Sequence, residues 1–410
     1  MGIVNQNDEL FEIPYSKFDL RSVGLISLYF YLLFSFITRP LSLTIFTSIA
    51  MWLTIGISIL LIFDKITLLI FNRYLIMFGL LLLSSFSSSI YSVDESNTLG
   101  NALLLVPSLI ICTTAIILIQ TREDILGIIK CFSFCGLALV LTLWGTNMLE
   151  YTAGYRLGNN LYTGANELGR SLMFSQICAL WLAINEKRFR YLNIANIIVM
   201  SYAMFLTGSR KYIIVIIIFA CINLIFKSGN IMKKLTSLVI ILLGSIIVYT
   251  LVMKVPSFYD LFGYRLESLF SFFSSDYRIS ASDDLRKYLI ERGVAYFTER
   301  PIFGWGHNSY QVLFGLESGY LLYSHNNYIE LLVNLGLIGF VIYYSYYFIL
   351  VKRIYINKIS EPLDLFFIGF IIGSLILDIG DIGYEKIFVQ LFLAITGIYV
   401  FDIKNLKGNE

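Results

Sequence analysis

Charge is scarce in this 410-residue sequence. Only 14% of residues are Asp, Glu, Lys or Arg, while 57% are hydrophobic. A soluble domain carries about 25% charged residues. With a mean hydropathy of +0.76, the composition describes a polytopic membrane protein, and length does not count its domains. The apolar runs are about 17 to 25 residues long, which suits spanning helices and not barrel strands. The formal net charge of +2 leaves no excess for a polyanion, so no nucleic-acid partner is expected.

Other absences narrow the chemistry. Histidine occurs twice, at His307 and His325, and both fall in one polar stretch. The five cysteines, Cys112, Cys131, Cys135, Cys178 and Cys221, all lie inside apolar runs without His or carboxylate companions. They read as small buried apolar residues, not as metal ligands or disulfides. No Walker loop, no H-E-x-x-H and no Asp-rich diphosphate-metal motif occurs, so no cofactor or metal is expected. The N-terminal "MGIVNQNDELFEIPYSKFDLRS" has no short apolar core before a small-residue cleavage site. No cleavable signal is expected there, and Gln6 fits a myristoylation signal poorly.

What is present is a series of apolar runs. A window of about 19 residues predicts twelve helices, at 23–37, 40–63, 66–90, 99–119, 125–145, 168–185, 190–206, 212–226, 235–252, 327–351, 363–378 and 384–402. The fold class is therefore all-α, with about twelve transmembrane helices in a single integral membrane domain, 1–410. Cations set the orientation. If the N-terminus is inside, the inner segments hold Lys17, Arg21, Lys65, Arg122, Lys187, Arg188, Arg190, Lys227, Lys233, Lys234, Lys352, Arg353, Lys358, Lys404 and Lys407. The short outer loops hold only Arg39, Arg156 and the pair Arg210–Lys211, and those with Asp94–Glu95 and with Asp381 hold none. This is the positive-inside asymmetry, and it places both termini in the cytoplasm.

One polar segment is long. Residues 254–326, between the ninth and tenth helices, form a large extracytoplasmic loop of roughly 70 residues, and loops of that length are uncommon unless they work or are disordered. An amphipathic helix is expected within it over Asp283–Thr298, N-capped by Ser282, ended by Pro301, with an apolar stripe of Leu285, Tyr288, Leu289 and Tyr296 lying on the membrane.

Three polar clusters face outward in this topology. The first runs from "DDLRKYLIERGVAYFTERPIFGWGHNSY" to "SHNNYIELLVNLGLIG" and contains Arg286, His307, His325 and Asn326. A neutral imidazole can take a proton from a hydroxyl, while Asn326 is equally suited to cap the tenth helix. The second is "TGSRK", where Arg210 has the shape to grip phosphate oxygens and Lys211 the reach to snorkel to headgroups. The third is "GYRLGNNLYTGANELGRS", where Arg156, Asn166 and Arg170 suit a sugar, a phosphate or simply water. Arg265, in "GYRLESLF", is placed to join the other arginines. The long loop balances seven Lys/Arg against eight Asp/Glu, so any anion is held by placement and not by bulk field. Arg73, with Asn72, reads as snorkelling from two turns inside the third helix, and Asp378 and Asp381 as edge acids of the last outer loop.

The order of these motifs resembles the O-antigen ligase/polymerase family of bacterial envelope polysaccharide enzymes. Arg286, Pro301, Gly304, Gly306, His325, Asn326, Glu330, Gly336 and Gly339 fill that signature, and Arg210 matches its S-R turn. "GANELGR" is similar to its N-P-N segment, with Ala165 in place of proline. The resemblance implies a membrane glycosyltransferase whose substrate is an undecaprenyl-pyrophosphate-linked oligosaccharide, met at the outer face of the cytoplasmic membrane among membrane lipid. It implies His325, Arg286 and Arg210 as catalytic residues, with Arg265, Arg156, Asn166, Arg170 and Asn326 binding substrate. A polymerase of O-antigen or capsule, working with a chain-length regulator protein, is the expected role; a ligase to a lipid A core or other acceptor, or a flippase, is the alternative.

Overall fold

A computed structural model describes residues 19–149, 156–161, 163–227, 231–254, 259, 263 and 281–404. The N-terminal segment with Lys17, the tail lysine Lys407 and Arg265 lie outside these residues. The described residues are mostly helical, with no strand among them. In chain order the helices are α1 (Leu20–Ile37), α2 (Thr44–Leu61), α3 (Ile66–Ile70), α4 (Arg73–Ser87), α5 (Glu95–Leu103), α6 (Val106–Leu118), α7 (Arg122–Gly145) and α8 (Gly164–Asn185). They continue as α9 (Arg190–Thr207), α10 (Arg210–Lys227), α11 (Ile231–Lys254), α12 (Ala281–Glu299), α13 (Ser309–Ser318), α14 (Asn327–Ile356), α15 (Pro362–Leu377) and α16 (Ile387–Gly397), the last followed by a π turn, Ile398–Ile403.

Helix is found in every expected apolar segment, but not always as one unbroken piece. Among the described residues, six segments are long and apolar enough to cross a membrane: Leu20–Ile37, Thr44–Leu61, Arg73–Tyr91, Glu95–Leu118, Arg122–Gly145 and Asn327–Ile356. The third expected helix is broken. Asn72 accepts from the Tyr74 and Leu75 amides and starts α4 afresh at Arg73. Arg73 is therefore a first-turn residue and not two turns deep; its guanidinium lies 4.1 Å from the Phe401 ring centroid. The fourth is divided at Leu104–Leu105 into α5 and α6.

Phenylalanines from four helices meet at the centre: Phe132 lies 4.8 Å from Phe392, Phe174 5.2 Å from Phe392, and Phe36 5.1 Å from Phe388. Burying large aromatic rings in mutual contact holds the helices in register. Ion pairs then clamp the bundle ends. At one end Arg21 meets Asp124 at 2.8 Å, Arg122 meets Glu361 at 3.0 Å, and Lys404 meets Asp364 at 2.6 Å. Lys130 meets Glu186, just past the C-terminus of α8, at 3.1 Å. Arg170, near the N-terminus of α8, belongs to the opposite end, about 24 Å away at 1.5 Å per residue.

Residues 281–326 pack against the start of α14. Helix α12 runs Ala281–Glu299, so Ser282 lies within it and not ahead of it as a cap. Its expected stripe splits. Leu289 and Tyr296 are buried with Tyr310 and Phe314 of α13 and Val333 of α14, whereas Leu285 and Tyr288 point outward. The helix is thus packed on protein along one face, and α13 is a second helix that hydropathy did not reveal.

The turn after α12 explains the glycines. Helix α14 is interrupted at Gly336, whose φ is 63° and ψ −164°. Breaking a helix frees backbone groups that an apolar setting cannot satisfy. The segment 301–306 supplies the partners: Leu337 N donates to Pro301 O at 2.8 Å and Ile338 N to Ile302 O at 3.3 Å. In return Trp305 N donates to Val333 O at 2.8 Å and Gly306 N to Asn334 O at 2.9 Å. The backbones approach so closely that a Cβ on Gly304 would lie 2.6 Å from Val333 O, and one on Gly336 2.3 Å from Ile302 O.

Candidate functional site

The site forms where the loop Tyr323–Asn326, the N-termini of α8 and α10, helix α12 and the 378–386 loop converge. His325 has a positive φ of 55°, uncommon outside glycine. It is half-buried, and its ring lies 4.0 Å from the Tyr323 ring centroid. Burial, then the nearby Arg286 and Lys211 charges, push its imidazole down to about 4, with Asp381 pulling the other way. The ring is therefore neutral at physiological pH, a proton acceptor beside two cations. Arg286 projects from α12 as an exposed residue. Arg210 is half-buried as the first residue of α10, directly before Lys211.

Asn326 is placed by the fold rather than by the cavity. Its side-chain oxygen accepts from Ile329 N at 3.1 Å, capping α14, and its amide donates to Ile379 O at 3.2 Å. Its neighbour Asn327, which sequence reasoning passed over, ties the 378–386 loop down. Its oxygen accepts from the Gly383 and Tyr384 amides at 2.9 and 3.1 Å. Its backbone donates to Asp378 O at 2.7 Å.

Arg156 and Asn166 brace each other. The Arg156 guanidinium donates to Thr207 O at 2.6 Å, Ser209 Oγ at 2.7 Å and Asn166 Oδ1 at 2.9 Å. This fixes the turn that carries Arg210, in which Gly208 takes a φ of 64° that glycine adopts without strain.

The residue most underrated by the sequence is Asp381. Its carboxylate accepts from Arg170 Nη2 at 2.7 Å, Arg170 Nε at 3.2 Å and the Tyr212 hydroxyl at 2.8 Å. Lys211 Nζ sits 3.1 Å away on the other oxygen. Burial opposes its charge, but Arg170 and Lys211 outweigh that and hold the carboxyl well below its usual range. Arg170 also meets Glu167 at 2.6 Å, and Lys386 approaches Glu167 at 3.6 Å. Lys386 thus precedes α16 and gives the 378–386 loop a cation that hydropathy had assigned to a span. Asp381 was read as an edge acid of that loop; its cationic partners lie 170 and 211 residues earlier, beyond any local pattern.

A cavity of about 430 Å³ opens beside this network, lined by Arg156, Asn166, Arg170, Tyr323, Asp381 and Glu385 among others. Its volume lies within the range of about 300 to 1,000 Å³ typical of small-ligand sites. Tyr323 joins cavity to imidazole. His307, in contrast, is buried away from His325, its Nε2 3.8 Å from Glu385, and burial lowers its pKa.

Residues 195–344 match the family model described as O-antigen ligase. The matched region runs from α9 through the break in α14 and contains Arg210, Arg286 and His325. The match is consistent with an O-antigen ligase/polymerase family. Arg156, Arg170 and Asp381 lie outside it. No curated protein matches the chain.

Proposed function

We propose that the chain is a polysaccharide polymerase of the cytoplasmic membrane, with about twelve spans, both termini inside and its site outward. The donor is a glycan on undecaprenyl pyrophosphate and the acceptor is the terminal sugar of another lipid-linked repeat. The acceptor hydroxyl attacks the anomeric carbon, the bond from that carbon to the pyrophosphate oxygen breaks, and configuration inverts. The hydroxyl proton passes to His325, and the electron pair leaves with undecaprenyl pyrophosphate. Arg286 and Arg210, with Arg265 as a third member, stabilise the charge gathering on that leaving group, as fixed donors aimed at a transition state should.

One observation carries this reading: a half-buried His325 ring, 4.0 Å from the Tyr323 ring, where burial first and then the Arg286 and Lys211 charges keep the imidazole neutral. A base next to cations can accept a hydroxyl proton while the cations receive an anion. The family description favours one second reading, transfer to a lipid A core or other acceptor by a ligase.

The test gives purified protein a lipid-pyrophosphate-linked repeat unit with EDTA present and no other acceptor. A ladder of glycans, lost in His325→Ala and Arg286→Ala, is the expected result. Transfer only after a lipid A core is added would make it the ligase. A verified donor that crosses the bilayer without any transfer would overturn the enzyme reading.

A further inference from the structure

The polar groups of the cavity divide into two kinds. Most are occupied. Asp381 is neutralised by Arg170 and Lys211, Glu167 by Arg170 and Lys386, and Glu330 accepts from Ser324 N at 2.9 Å and Ser324 Oγ at 2.5 Å. Glu385 differs. Its side chain is 33% exposed, and its only charge-capable partner among the described residues is His307. Burial keeps that imidazole neutral by lowering its pKa, so it supplies no compensating charge. Across from Glu385, Asn308 and Gln311 line the same space at the start of α13. Their amides make no hydrogen bond to a described residue. Of the four lining carboxylates, Glu167 and Asp381 face cations and buried Glu330 is held by Ser324, so Glu385 is the one that meets the cavity without a cationic partner among the described residues.

Such a wall does not suit pyrophosphate, which the cationic side at Arg286 and Lys211 would receive. It suits a sugar: free amides and a carboxylate accept and donate to hydroxyls and amines. We infer that this cavity is the acceptor-sugar subsite and that Glu385 determines its specificity, favouring amino sugars and rejecting uronic acids. The inference rests on the glycosyl-transfer reading for the word acceptor. An ammonium gains a charge-assisted hydrogen bond from Glu385, about twice as strong as a neutral one, while a uronate meets like charge. Tyr323, which lines the cavity and meets the His325 ring at a tilt of 46°, places the bound sugar within reach of the base.

The experiment measures binding and is independent of transfer. Full-length protein in nanodiscs is titrated at about pH 6, where the sugar amine is protonated, with methyl glucosaminide, methyl glucoside and methyl glucuronide, followed by saturation-transfer NMR. The wild type is expected to prefer the glucosaminide over the glucuronide by on the order of tenfold. Glu385→Gln should bring that ratio near one, and Gln311→Ala should weaken all three sugars alike. An unchanged ratio in a folded Glu385→Gln protein, or binding that neither variant alters, would overturn the inference, as would failure of all three sugars to bind. If the sugars bind in the expected order but no glycan ladder forms with a verified donor, the polymerase reading falls and the sugar site stands.

Discussion

Replacing Asp381 by Asn tests the network more sharply than any other change. The side chain keeps its shape and can still accept one hydrogen bond, but it loses the charge that faces Arg170 and Lys211. The Asp381 and Arg170 side chains are 8% and 4% exposed, so water cannot take over. Removing one partner of a buried pair costs about 3–5 kcal/mol, because it strands the other charge. Glu167 still contacts Arg170 at 2.6 Å, which places the loss at the lower end, about 3 kcal/mol. The assay is equilibrium unfolding of purified protein in mixed micelles titrated with SDS. Coupling is read from a cycle with Arg170→Gln. The native carboxyl is depressed, so its contribution is complete above the unfolded value of about 3.9. It is lost as pH falls below that value toward the lower folded one. Wild type and variant should therefore converge in acid. A loss under about 1 kcal/mol at neutral pH, or additive single variants, would refute the assignment of Asp381 as the hub.

Three further outcomes follow from the same geometry. Because burial and Arg286 depress the His325 imidazole to about 4, kcat/KM should hold down to about pH 5 and fall only below it; in Arg286→Gln the acid limb should shift upward, and a limb already at 6.5 in the wild type would contradict the arrangement. His325→Ala should slow transfer about 10²- to 10⁴-fold, with donor binding kept, measured in the ladder assay beside direct donor binding. Gly336→Ala should abolish folded protein in detergent, since its Cβ would stand 2.3 Å from Ile302 O at a φ that alone costs about 1–3 kcal/mol; size-exclusion chromatography of the variant decides this.

Hydropathy by itself determined that this is a helical membrane protein and where its apolar segments lie. That signal is local: a run of residues is apolar whatever it packs against. The Pro301–Gly306 turn and the "LGLIG" segment were each visible as motifs, yet only the structure shows that they pair and why glycine is needed, through four backbone bonds across the break at Gly336. His325 stood out by rarity, and its neutrality depends on burial first and then on Arg286 and Lys211, which come from two other helices. The sequence alone could not rank Asp381 or Asn327, because an acid at the end of a helix looks the same whether it meets water or two cations. Tertiary packing brought α8, α10 and the 378–386 loop together, and in a poorly solvated site that proximity sets which charges are satisfied and which, like Glu385, are left to meet a ligand.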